Sequence, residues 1–326
     1  MTYHFPVLRR WIAISVLIGL SLAEISNCAA ADANRGSEYK KQLARTQQAL
    51  VAAGDPDSLA AAATVGWTPQ EDPSERLKWI ARAADLAPDR YDLIWLRLQM
   101  CKRYKSCDAR PIVAKLRALD ASNAASWMDP LEQRTQAHED AQTDALVRAM
   151  AKSDRFNIHW NSIVFHLANA LRGVRTMNTV TALVGAIGSA SVIATPDYWR
   201  ISDACKGEAL KRSDRLLNCR RLSAVMRDGD AYATEMTGIA IQERVWPTGS
   251  IEIQDAIRAR RLARHQMAMA VEAASTTEWN EQFAEKYLQW VSTEKTEQAV
   301  SLAEIANAGL SALPPQDASE SRGGQP

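Results

Sequence analysis

The chain has 326 residues, of which 47% are apolar, 24% charged and 6% aromatic, with 14 Gly and 12 Pro. That composition excludes a collagen-like, low-complexity or disordered protein and leaves ample length for one large core or two smaller ones. Lys and Arg number 39 against 38 Asp and Glu, a net charge of +1 without the basic excess of a general nucleic-acid binder.

Residues 1–33 read as a secretory signal peptide. Arg9-Arg10 precede the uncharged run Trp11–Ala23, and Ala29-Ala30-Ala31-Asp32-Ala33 follows, so cleavage is expected after Ala31 or Ala33. The apolar run rises only about 20 Å as a helix, short of the roughly 30 Å core of a bilayer. Ile25-Ser26-Asn27-Cys28 resembles a bacterial lipoprotein box, in which Cys28 becomes the lipidated first residue. Asn27 and Glu24 depart from that pattern, so an incidental Cys in a discarded leader is the expectation and lipidation of Cys28 the alternative. Either way the address is periplasmic or secreted.

Four cysteines remain: Cys101, Cys107, Cys205 and Cys219. An even count in an exported chain favours disulfides, and the local pairing Cys101–Cys107 with Cys205–Cys219 is expected because short loops meet most readily. Their spacing does not suit a Zn site, so no metal is expected.

Strand alternation and Asn-Gly hairpin turns are missing, while helix punctuation is abundant. Asp55-Pro56, Asp72-Pro73 and Thr195-Pro196 each place a capping side chain before a proline, and Asp72-Pro73-Ser74-Glu75 is spaced as a capping box. Ser275-Thr276-Thr277-Glu278 repeats that spacing before the last long helix. Helices are expected near 38–53, 57–66, 74–87, 92–101, 109–119, 124–133, 138–152, 158–173, 177–194, 197–212, 214–228, 231–245, 251–274 and 278–311. The fold class is all-α.

Trp95, Trp127 and Trp160 recur at steps of 32 and 33 residues, each near a helix start. Ala83-Ala84-Asp85-Leu86-Ala87-Pro88-Asp89 precedes the first; Leu116-Arg117-Ala118-Leu119-Asp120-Ala121-Ser122-Asn123 leads to the second; Met150–Asn157 leads to the third. Residues 74–173 thus resemble the tetratricopeptide family, whose period is about 34 residues, with a weaker unit at 38–70. Gln99 and Pro130 depart from the family pattern. The resemblance implies antiparallel helix pairs stacked into an α-solenoid with one concave side, the three indoles packing between repeats.

Thr176–Pro196 carries no charge, yet Val180, Leu183, Val184 and Ile187 follow the stripe of a packed helix, so a buried central helix is expected rather than a membrane span. Gly185 and Gly188 are expected to allow close helix approach. Farther on, Trp279, Phe283, Tyr287 and Trp290 share one helix face, the pattern of core or a docking seam. The domains expected are a helical-repeat region at 34–175, a C-terminal helical region at 176–312 and a disordered tail at 313–326.

Catalytic signatures are weak. His159 and His166 lie two turns apart, too far to share one metal ion; His138-Glu139-Asp140 point in different directions on a helix start. Arg258, Arg260, Arg261, Arg264 and His265 form the densest basic segment and read as a solvated or interfacial helix face. No catalytic, cofactor-binding or metal-ligating residue is nominated, and no cofactor is expected. The expectation is a non-catalytic exported scaffold holding a protein or peptide partner of the cell envelope. It is expected not to bind nucleic acid, and to meet the membrane only through a lipidated Cys28 or an uncleaved leader. The alternatives are an envelope hydrolase with an α-helical catalytic region at 197–312 and a lipid-anchored assembly factor.

Overall fold

A computed structural model describes residues 29–67, 72–104, 107–137 and 140–315. The expected leader up to Cys28, the pair His138-Glu139 and the tail beyond 315 lie outside the described residues. The described chain is all-α, with no strand among the described residues and a single isolated bridge between Asn123 and Arg155. Its described residues divide into two compact units, those up to 107 with 163–195 and those of 108–162 with 196–315. These units alternate along the chain, whereas the sequence places a single boundary after residue 175.

The first unit contains α1 (Ala29–Ala53), α2 (Pro56–Thr64), α3 (Ser74–Leu86), α4 (Tyr91–Tyr104), most of α8 (Trp160–Gly173) and α9 (Thr179–Ile193). Successive helices α1 to α4 pack on one another, and α9 lies against α2 and α4. Asp55 caps α2 as expected, its carboxylate accepting the Ser58 N–H at 2.9 Å. At the other end of α2 the buried Arg76 donates to the carbonyls of Ala62, Ala63 and Val65 at 3.2, 3.0 and 2.8 Å. A cation there satisfies orphan carbonyls and the negative end of the helix dipole together.

The buried face of α9 is rotated from the expected stripe. Ala182, Leu183, Ala186, Ala190 and Ile193 are buried, while Val180, Val184 and Ile187 are half-exposed. Small alanines fit against neighbours where bulkier residues do not, and they decide which face turns inward. Gly188 meets nothing within 4 Å and Gly185 only Leu171 at 3.7 Å, so neither makes the close approach expected of it. By length and a mean hydropathy of 1.5, the segment Thr179–Ala204 is sufficient for a membrane span, but α9 ends before Pro196.

The second unit contains α5 (Arg110–Leu119), a 3-10 turn at Ala124–Trp127, α6 (Met128–Gln136), α7 (Asp140–Ala151), the start of α8, α10 (Tyr198–Ala204), a second 3-10 turn at Gly207–Lys211, α11 (Ser213–Arg227), α12 (Tyr232–Val245), α13 (Ile251–Thr276), α14 (Glu281–Thr293) and α15 (Glu297–Asn307). Here α6 packs on α7, α7 on α11, α11 on α12, α12 on α13, and α15 on both α13 and α14. The turns that the sequence aligns ahead of Trp127 and Trp160 are bonded to each other at an offset of 34 residues. Asn123, wholly buried, donates to the Asn157 carbonyl at 2.7 Å and accepts the Asn157 N–H at 2.9 Å. A third turn continues the stack, where Asp230 N–H donates to the Phe156 carbonyl at 3.3 Å.

Several expected boundaries move, among them the end of the helix expected over 197–212, which stops at Ala204. Thr195 does not cap a helix: its hydroxyl bonds back to the Ser191 carbonyl at 3.1 Å, and Asp197 caps α10 through the Trp199 N–H at 3.1 Å. After α13 the cap is Asn280, accepting the Phe283 N–H at 2.9 Å, rather than the Ser275–Glu278 box. The single helix expected over 278–311 is two, because Thr296 starts α15 by accepting the Ala299 N–H at 3.1 Å. Its local side-chain bond competes with helix continuation.

Candidate functional site

The cysteines pair as the short loops suggest. Cys101 meets Cys107 and Cys205 meets Cys219 at disulfide distance, with Cα separations of 5.4 and 5.7 Å. Such pairs fit an oxidising, extracytoplasmic setting. The three indoles have unlike surroundings. Trp95 is wholly buried in α4 and donates to the Ala194 carbonyl at 2.9 Å. Trp127 lies under the Arg117 guanidinium at 4.1 Å, and Trp160 opens α8 with its backbone N–H, not its indole, on Asp230 at 3.1 Å. The aromatic stripe is continuous, with ring centroids 5.2 Å apart for Trp279–Phe283 and 6.1 Å for Tyr287–Trp290.

His159 and His166 part company. His159 falls outside α8 with φ of 60°, a left-handed conformation that costs a non-glycine residue energy. The buried Asp230 carboxylate holds it there by accepting the flanking N–H groups of Ile158 at 2.9 Å and Trp160 at 3.1 Å. His166 belongs to the first unit, where its Nδ1 lies 2.9 Å from Asp57. Burial alone would raise the Asp57 carboxyl; the His166 and Arg90 contacts outweigh it and hold the group below its usual range.

Other acids of the second unit are also spent on structure. Glu297 accepts the Tyr232 N–H at 2.8 Å, capping α12 from 65 residues away. Burial pushes Asp230 up to about 6 and both Glu297 and Glu304 up to about 7.

An open depression of about 260 Å³ lies where α7 meets the start of α11. Its walls carry three guanidiniums, Arg148 from α7 and Arg212 and Arg215 from α11, with Asp144, Asp214 and Asn218. Arg215 is 2% exposed and fixed on the Ala204 carbonyl at 2.6 Å and on the Asp144 carboxylate. Asp144 also takes Arg212 Nη1 at 3.1 Å. Two further Arg212 groups, Nε and Nη2, are buried and have no acceptor among the described residues. Arg212 occupies the N-cap of α11 and provides no side-chain acceptor there. Guanidinium donors and the positive end of a helix converge, an arrangement that favours a carboxylate or phosphate.

Sequence reasoning overlooked this trio. Its members are not clustered in sequence, and Arg148 reaches the others only because α7 folds onto α11. Fold and site define a class, an all-α protein of stacked helices with a cationic depression. No protein family, curated protein or solved structure matches the chain.

Proposed function

We propose that the protein is a periplasmic or secreted helical scaffold that holds an acidic segment of a protein or peptide partner. The depression at the start of α11 carries this reading, because Arg148 and Arg212 bring guanidiniums to its wall beside the positive end of a helix. The reading is supported by the stacked turns at 120–123, 154–157 and 230, which give the unit a rigid frame for binding. Tetratricopeptide-like arrays commonly bind peptides, and the resemblance of residues 1–33 to a secretory leader supports the cell envelope as the place.

The test is capture from envelope extract by the wild-type chain and by an Arg148→Glu/Arg212→Gln variant with unchanged circular dichroism. One reproducible protein partner, lost in the variant and displaced by a glutamate-rich peptide, is the expected result. Capture that is the same for both chains, or degradation of a wall polymer with no partner retained, overturns the reading.

A further inference from the structure

The longest helix of the second unit has an outer face that the scaffold reading does not use. In α13, 26 residues long, only Ala256, Ala263 and Ala273 are buried, and the helix packs on α12 and α15. Ile257, Arg264, Ala268 and Val271 follow at steps of seven, four and three, so they share one side. All four are exposed. Ile257 is 57% exposed and Ile251, at the start of the same helix, 68%.

The charges near this side are partly compensated: exposed Glu272 stands one turn beyond Ala268, while Arg264 on the stripe and Arg258, one residue round the helix from Ile257, leave a basic surplus. Asp255 is engaged by Arg227 at 2.5 Å, which leaves Arg258 at 3.9 Å from the same carboxylate. Arg260 turns inward to Glu243 at 2.8 Å, whereas Arg264 has no ion-pair partner among the described residues. The segment after α15 adds to the patch. Arg261 donates to the Pro315 carbonyl and His265 lies on the Ser311 carbonyl, both at 3.0 Å, which places Leu313, 70% exposed, in the same neighbourhood.

The geometry points to an anionic lipid surface as the occupant of this face. Isolated branched aliphatic residues among guanidiniums form no groove for a protein ridge. They suit a bilayer boundary, where aliphatic side chains enter the acyl region and arginines meet headgroup phosphates. Charge complementarity sets the preference for acidic lipid, at a strength that adds up per arginine near the surface and falls with salt. This contact is separate from the depression on α11 and from any lipid on Cys28.

The test is sedimentation of the chain, as recovered from its host, with vesicles of phosphatidylcholine alone or mixed with phosphatidylglycerol. Wild type is expected to bind the mixed vesicles, more weakly as salt rises, and an Arg258→Glu/Arg264→Glu variant at least about tenfold more weakly. Ile257→Gln is expected to lower binding several-fold with charge unchanged. The N-terminal apolar run is common to all three chains, so it does not contribute to the difference. Equal binding to both kinds of vesicle, absence of binding, or unchanged binding by the folded double variant overturns the inference. So does binding to soluble polyglutamate in preference to mixed vesicles, which would make the partner an acidic protein.

Discussion

Gly238 in α12 is placed where only hydrogen fits. A Cβ there would lie 2.7 Å from Arg227 N, 2.8 Å from Ser223 O and 2.9 Å from Met226 C, all backbone atoms of α11. Backbone cannot swing aside as a side-chain tip can, so Gly238→Ala is expected to force the helix pair apart and cost about 1–3 kcal/mol in urea denaturation. Gly188→Ala should be neutral or gain up to about 1 kcal/mol from helix propensity, since nothing lies within 4 Å of it. Glu304 makes a complementary prediction. It is buried, its Oε1 has no hydrogen-bond partner among the described residues, and it titrates at about 7. Its unfolded value is about 4.3, so the native state holds the extra proton between the two values. Its contribution to stability is therefore full below about 4.3 and lost as pH rises to about 7. Wild type minus Glu304→Gln should decline over that window and then level, with the variant roughly 1–3 kcal/mol more stable at pH 8. A difference curve flat from pH 4 to 8 would refute the assignment.

Among the elements, the two cysteine pairs differ in the loops they close. Their sequence separations are 6 and 14, and loop entropy makes the longer closure worth about 3 kcal/mol and the shorter about 2. Cys205→Ala is accordingly expected to lower the urea midpoint more than Cys101→Ala, with reductant bringing wild type below both. Most helices were legible because their caps and periods are local; Asp55 before Pro56 is an example. The break at 294–296 was less so, because the aromatic period of Phe283 to Trp290 runs up to it without interruption. Even so, Thr296 resembles the other capping residues in type. The inward face of α9 departs from the sequence stripe for a different reason: a ranking by hydrophobicity favours Val and Ile, while packing against α2 and α4 selects by size. The arginine depression leaves no local pattern at all, since Arg148 in α7 and Arg212 at the N-cap of α11 are far apart in sequence and meet only where the two helices pack.

On the scale of the molecule, the chain alternates between its two units and so departs from a simple division after residue 175. A fragment of 34–175 would lack α9, whose alanine face packs on α2 and α4 and whose C-terminal Ala194 carbonyl receives the Trp95 indole. That fragment is expected to show a broad, low-temperature melt by circular dichroism. A fragment of 34–195 should regain part of the cooperativity through the restored contacts. Equal melting of the two would mean that α9 is dispensable to the first unit.

The same alternation governs how a newborn chain matures. A regular stack can harden hairpin by hairpin as it emerges. Here the pocket for the Trp95 ring stays unfinished until residue 194 has been made, after the whole of 108–162. Oily alanine and indole surfaces must therefore wait, unshielded, while about a hundred further residues are made, an interval in which such surfaces favour aggregation.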